Sequence, residues 1–335
     1  MENRYYACLA IGLCLSSLPA VCIYLSGDVK KSTNDRLETV YHFKNVDHPI
    51  QPIPQKIDID KQWLLLGKAL FNSTLLSKDN TISCASCHVT NTGGDDGFPV
   101  SVGVNNKVGV RNSPTVLNAT FNFRQFWDGR ANSLLEQASG PIHNPVEMTS
   151  SWPAVITKLS KDSYFYQAFN DLSPDGITVE NILLAIVTYE ESLITPNAPI
   201  DQYLLGNTTA LTQQQIRGLQ LFIDYGCSTC HQGANIGGNI YQKLGRINDI
   251  PKKLTQDFGK YEVTKKQVDR FVFKVPSLRN IAQTAPYFHN GSVSTLNEAV
   301  TIMASSQLGR QLSTKEVEDI VTLLHSFSSK EIELE

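Results

Sequence analysis

Two stretches of this chain set two thiols and an imidazole in the same order: Cys84-Ala85-Ser86-Cys87-His88 and Cys227-Ser228-Thr229-Cys230-His231. Three chemistries use cysteines spaced this way. A structural zinc site needs a second Cys or His pair within about 12–20 residues, and neither copy has one nearby. A thioredoxin-like redox pair needs a βαβ setting, which the flanking sequence lacks. Covalent attachment of haem c needs nothing further, because the thiols add across the haem vinyl groups and the adjacent imidazole takes one axial position on the iron. The spacing therefore predicts two haem c groups, one on Cys84, Cys87 and His88 and one on Cys227, Cys230 and His231.

The remaining axial ligand decides whether an iron passes electrons or reacts. Besides Met1, the methionines are Met148 and Met303. Met303, downstream of the second motif and just before the last helical segment, is the candidate thioether ligand of the second iron. Such a His/Met iron has a raised potential and both faces closed. Met148 follows Glu147 in a segment assigned to the first motif. Among the other histidines, His42 and His48 lie in a proline-containing stretch, His143 flanks Glu147, and His289 and His325 belong to the second half, His325 as a core or surface residue.

The elements that must position these groups read as helices. Gly67, Leu70 and Phe71 ahead of the first motif match Gly218, Leu221 and Phe222 ahead of the second, so a Gly-x-x-Leu-Phe helix precedes each. Thr212 with Gln215, and Ser313 with Glu316, form capping boxes that open two helices. Apolar residues recur at Ile182, Ile186 and Leu193 in a helix predicted over 179–193, which Pro196 stops. Val317, Ile320, Val321 and Leu324 mark one face of the last. Strand-like alternation is scarce, and Gly-, Asn- and Pro-rich loops fill 91–115 and 233–260. The expected class is all-α with long loops, in two similar domains over 56–200 and 201–335. Polar residues 28–55, with Pro49, Pro52 and Pro54, read as a tether.

Composition narrows the class further. Cys8, Cys14 and Cys22 lie in an N-terminal apolar segment and the other four of the seven cysteines lie in the two motifs, so no structural disulfide is expected in the rest of the chain. A net charge of -3 and the lack of a long basic run exclude a nucleic-acid partner. Arg4, an apolar run from Tyr5 to Leu25, and Lys30-Lys31 make residues 1–27 a signal peptide or membrane anchor, with the anchor favoured. Either one exports the chain, which places it in the periplasm, soluble or tied to the inner membrane.

The chain resembles the bacterial di-haem cytochrome c peroxidase family over residues 55–328. The likeness is carried by "LGKALFNSTLLSKDNTISCASCH", "RNSPTVLNATFNFRQFWDGRANSLLEQASGPIHNPVEM", "LITPNAPIDQYL", "RGLQLFIDYGCSTCHQG" and "FKVPSLRNIAQTAPYFHNGSVSTLNEAV". The resemblance implies a peroxidatic first haem at low potential and an electron-transferring second haem at high potential. Electrons from a small periplasmic donor would enter at the His231/Met303 haem, pass to the open His88 haem and reduce hydrogen peroxide to water. It implies Glu147 as acid/base over the open iron, with Gln137 beside it, and Trp127 between the haems. It also implies a calcium ion held by Asn112 and the backbone carbonyls of Thr284 and Pro286, and a homodimer. Many members hold a histidine on the resting peroxidatic iron. Val104 stands at that position here, so a five-coordinate or water-bound first iron is expected, with a swing of His143 onto the iron as the alternative.

Two other functions compete. Relatives that oxidise a protein-bound tryptophan cofactor carry tyrosine where this chain has Met303. A plain di-haem electron-transfer cytochrome would saturate both irons with side chains and give Glu147 no role. The donor is a small cytochrome c or cupredoxin, or membrane quinol where the N-terminal segment anchors the chain.

Overall fold

The computed structural model describes residues 48–329. The signal or anchor segment 1–27, most of the tether and His42 lie outside the described residues, among which no helix is long and apolar enough to cross a membrane. In chain order the α-helices are α1 (Lys61–Asn72), α2 (Leu134–His143), α3 (Trp152–Lys161), α4 (Ser163–Leu172), α5 (Val179–Ser192), α6 (Pro199–Leu204), α7 (Gln213–Asp224), α8 (Tyr261–Thr264), α9 (Leu296–Leu308) and α10 (Thr314–His325). The chain is helix-rich, with long connections held by short 3-10 turns.

Local signals set the helix ends. Asp60 caps α1 by accepting from the backbone N–H of Gln62 and Trp63 at 2.9 and 3.1 Å. Thr178 caps α5, and reciprocal boxes at Thr212/Gln215 and Ser313/Glu316 open α7 and α10. The apolar faces read from the sequence point inward, since Ile182, Ile186, Leu193, Ile320 and Leu324 are all buried. The α1 and α5 faces help build one core with Phe165 and Phe169, while α7 and α10 build another with Phe222 and Phe327.

The all-α expectation needs one correction. Strands β1 (Tyr241–Lys243) and β2 (Val272–Lys274) pair antiparallel, with Gln242 facing Phe273. Strands of three residues are too short to display alternation in sequence. The tether reading also ends early. His48, Ile50 and Ile53 are buried, and Gly233 N–H donates to the Pro49 carbonyl at 2.7 Å. Arg279, ion-paired to Asp201 with both side chains fully buried, donates to the Gln51 carbonyl at 2.8 Å. Ile50 thus joins the core that α7 and α10 build.

The chain also repeats itself in backbone conformation. Asn118, Phe126 and Gly129 take left-handed φ values of 61°, 68° and 67°, and Asn280, Phe288 and Gly291 take 59°, 67° and 60° at one constant sequence interval. The same interval relates the bridge Gln125–Ala131 to Tyr287–Val293, and the turn Ala119–Phe121 to Ile281–Gln283. Thr195 joins the two copies, its hydroxyl oxygen accepting from Asn118 Nδ2 at 2.8 Å and Asn280 Nδ2 at 3.0 Å.

In each copy a glycine lets two helices meet. A Cβ on Gly67 of α1 would lie 2.6 Å from the carbonyl carbon of Ala185 in α5, and one on Gly218 of α7 would lie 2.8 Å from that of Asp319 in α10. Helical Gly140 in α2 meets nothing nearer than Phe126 Cζ at 3.4 Å. Gly67→Ala and Gly218→Ala are each expected to lower stability by about 2 kcal/mol, overpacking outweighing the gain in helix propensity. Gly140→Ala is expected to be neutral or to stabilise by about 0.5–1 kcal/mol. Chemical denaturation of the haem-loaded protein measures all three.

Candidate functional site

The first Cys–His motif hangs from α1. Its cysteines begin a 3-10 turn, Cys84–Ser86, in which Ser83 and Ser86 cap one another, and His88 N–H donates to the Cys84 carbonyl at 3.0 Å. The His88 ring is fixed from behind. Nδ1 lies 3.2 Å from the Gly94 carbonyl and 3.3 Å from Ser113 Oγ, whose own hydrogen goes to the Cys87 carbonyl. A carbonyl only accepts, so Nδ1 carries the proton and Nε2 presents its lone pair. Burial lowers the His88 pKa, keeping the ring neutral. A neutral imidazole oriented this way is the form that binds iron, and the residues fit a haem.

Glu147 reaches this motif by a fold-back after α2. Pro141 sits inside the last turn of α2, and the chain returns along it through Met148 N–H to the Pro141 carbonyl (3.2 Å) and Ser150 N–H to the Ile142 carbonyl (2.7 Å). Burial raises the Glu147 pKa, against the opposing pulls of Arg130 and of the Asn144 amide that donates to it. Burial raises the pKa of both Cys84 and Cys87, and the Glu147 carboxylate adds a smaller push to each. Fully buried Val104 belongs to the same wall, its N–H donating to the Glu147 carbonyl at 2.9 Å. Gly103 is required there, because a Cβ would lie 2.8 Å from Glu147 Cα. Gln137 is half-buried on α2 and makes no side-chain hydrogen bond among the described residues. Met148 is core filler, 3% exposed beside Ile142 and Leu76. His143 is exposed and packs edge-on against Trp152 at 5.6 Å, and His325 is exposed on α10.

The second motif opens into a large cavity lined by Cys227, Cys230, His231 and Met303. His231 N–H donates to the Cys227 carbonyl at 3.0 Å, repeating the first motif's geometry. Burial takes the His231 pKa down to about 4, with the carbonyls of Ile236 and Pro276 pulling back. Nδ1 is buried without a well-formed hydrogen bond. Gly237 lets the chain pass between these groups, since a Cβ there would sit 3.0 Å from Pro276 C and 3.4 Å from His231 Nδ1. Met303 precedes the last helix from within a helix of its own, α9. Its helical position and apolar neighbours, Val300 and Ala304, bring it to the cavity wall.

Trp127 connects the halves. Its Nε1 donates to the Asn112 carbonyl at 3.0 Å, and its own carbonyl accepts from Lys274 N–H at 2.9 Å. Asn112 N–H donates to the His289 carbonyl at 2.9 Å, and the Trp127 and His289 rings meet edge-on at 6.4 Å. Arg111 clamps this junction, pairing Asp128 of the first half with Asp257 of the second. Asn112, Thr284 and Pro286, the calcium candidates, line the same cavity as Trp127. The Asn112 amide nitrogen donates to the Phe98 carbonyl at 3.0 Å, which leaves Oδ1 for a cation. Among the described residues no three His, Cys, Asp or Glu cluster as a metal site.

Sequence reasoning passed over Lys274, the Arg111–Asp257 pair and the placement of His289. The repeat held a signal for the last, because "FWDG" at 126–129 and "FHNG" at 288–291 set His289 in register with Trp127.

The family model for di-haem cytochrome c peroxidase matches residues 61–209. A cytochrome c551 peroxidase of Pseudomonas aeruginosa is 45% identical over 296 residues, covering 85% of this chain and 86% of that one. A cytochrome c peroxidase of Escherichia coli is 48% identical over 285 residues, covering 84% of this chain but 61% of that relative's length. The crystal structure of a MauG-like protein associated with microbial copper homeostasis superposes with a TM-score of 0.75 at 24% identity, covering 85% of this chain and 94% of that one, and so shares the fold. Extent and identity together place this chain in the di-haem cytochrome c peroxidase family.

Proposed function

We propose that the chain is a peroxidase that reduces hydrogen peroxide to water with electrons from a small periplasmic donor, through two cytochrome c-like domains over 56–200 and 201–335. The observation that carries this reading is the unlike furnishing of two like motifs. Met303 shares a cavity wall with His231, whereas a half-buried carboxylate, Glu147, stands within electrostatic reach of Cys84 and Cys87. Bound haem c supplies, on His88, iron that takes up and splits the peroxide O–O bond, and on His231, iron that relays single electrons.

Glu147 takes the proton from the near peroxide oxygen and returns it to the departing one, so that water rather than hydroxide leaves. Its burial suits both directions, because a raised pKa makes the carboxylate a better base without stopping it from donating again. Asn144 orients the carboxyl, and Gln137 on the adjoining helix is the second polar group of this site. Val104 offers no ligating atom, so it would place no protein ligand on a haem iron held by His88. Trp127, bonded to backbone of both halves, is the bridging side chain. Asn112 with the carbonyls of Thr284 and Pro286 would hold calcium at the same junction. The donor is a cytochrome c or cupredoxin, with membrane quinol the alternative where residues 1–27 anchor the chain, and the working unit is a homodimer.

Glu147→Gln is expected to cut peroxide turnover by about a hundred- to ten-thousand-fold with both haems in place. An electron-transfer cytochrome without peroxidase chemistry predicts no change in a stopped-flow peroxide reaction. The carboxylate is the working base, and burial raises its pKa from 4.5. Activity is therefore lost as pH falls through that raised value, so the acid limb lies above 4.5 in the wild type and is missing from the variant's residual rate.

Resting EPR is expected to show a high-spin first haem, and Val104→His to convert it to a low-spin form that needs reduction before it reacts. A purely low-spin wild-type spectrum would refute the open site. Treatment with a calcium chelator is expected to lower turnover, with recovery on adding calcium. Unchanged turnover in metal-free protein argues against the Asn112 site.

A further inference from the structure

One cation in the second cavity has no partner among the described residues. Lys274, on β2, is 7% exposed and lines the cavity with Cys227, Cys230, His231 and Met303. It is the sole Lys, Arg, Asp or Glu on that wall among the described residues. Its ammonium makes no hydrogen bond or ion pair there, and burial alone pulls its pKa down to about 8 with no carboxylate opposing. Buried charges are almost always paired, because an uncompensated ion loses its hydration for nothing. Fully buried Arg279 obeys the rule with Asp201, and even half-buried Arg111 is paired, with Asp128 and Asp257.

The cavity wall supplies no anion, but the group that fills it does. Haem carries two propionate carboxylates, and of the wall groups only this ammonium can neutralise one. We propose that Lys274 is the propionate anchor of the second haem, an ion pair that fixes the porphyrin's orientation on the side where the Lys274 backbone holds Trp127. β2 makes the placement rigid, since Lys274 N–H is bonded to the Trp127 carbonyl and Phe273 stacks on His289 at 4.4 Å. The second effect is electrostatic. A fixed cation beside the porphyrin favours the reduced iron, which carries one positive charge fewer, and so adds to the high potential that a thioether ligand gives. This rests on the haem reading above.

The full chain with haem attached is compared with Lys274→Met and Lys274→Arg. Haem content is measured first by the pyridine haemochrome assay, and a wild-type chain without two haems per protein overturns the haem reading itself. With both haems present, the proteins are poised at the ambient potential that half-reduces the wild-type second haem. Lys274→Met is expected to show a reduced-to-oxidised ratio about tenfold lower, and Lys274→Arg a ratio close to wild type. Equal ratios in all three overturn the anchor. Should neither variant accumulate with two haems, resonance Raman of the wild type decides, with only the higher-potential haem reduced. A propionate bending band at the frequency of a cation-paired carboxylate supports the proposal, and one at the frequency of a water-solvated carboxylate overturns it.

Discussion

Two helix crossings, each too close to admit a methyl group, hold the rest of this structure in place. α1 lies on α5 at Gly67, and α7 lies on α10 at Gly218, backbone against carbonyl in both. Interiors packed at crystal-like density transmit small shifts rather than absorb them. The cysteine turns are reached directly from these helices. α7 ends at Asp224 and the second turn begins at Cys227, while α1 packs against the turn that starts at Cys84. A covalently attached porphyrin is anchored at two sulfurs and one imidazole, so an error in the helix crossing becomes an error in where the iron's far face points.

Upon that shared frame the halves diverge, and the divergence sits beyond the repeat. Asn118 and Asn280 meet on one hydroxyl at Thr195, and the left-handed turns at Phe126 and Phe288 stand in register. The same backbone device then carries Trp127 in one copy and His289 in the other, which touch edge-on. Downstream of these turns the two halves part. After the first copy, the chain leaves α2 two residues past Pro141 and folds back along its last turn to deliver Glu147. After the second, a capped thirteen-residue helix, α9, runs along the cavity and delivers Met303. A proline and a fold-back in one half, against an uninterrupted helix in the other, separate a carboxylate from a thioether.

The sequence is most legible where chemistry is local. Cys-x-x-Cys-His, the two capping boxes and the 3.6-residue periodicity of α5 and α10 depend on neighbours within a turn or two, and all appear at the expected residues. The Gly-x-x-Leu-Phe match is visible too, although its reason, a carbonyl from a distant helix, is not. Features built from residues far apart in the chain are out of reach. The docking of Ile50 and Ile53 depends on Arg279, whose partner Asp201 lies in another element. Strands β1 and β2 are three residues each and exist because they pair with each other and with Trp127. The helix that carries Met303 to the cavity is equally hard to see, because a helix that turns one methionine toward a ligand pocket reads in sequence like any buried helix.

Axial ligation is the usual account of why two haems in one chain differ in potential, and on the proposed assignment the ionisable groups around the two motifs would act in the same direction. Around Cys84 the protein sets acids. Glu190 is buried beside it and, with burial holding its pKa near 8, is largely protonated at neutral pH, and burial raises the Glu147 pKa as well, with Arg130 pulling it back. Around Cys227 the described wall carries no acid, and its one ionised side chain is Lys274. In a medium of low effective dielectric, a single charge at these distances is worth several times its value in water. Glu147, when ionised, would stabilise the oxidised form of an iron held by His88, and Lys274 the reduced form of one held by His231. On the proposed haem assignment each half would therefore lean toward its own role even if both irons carried the same ligands, and ligation would widen that difference.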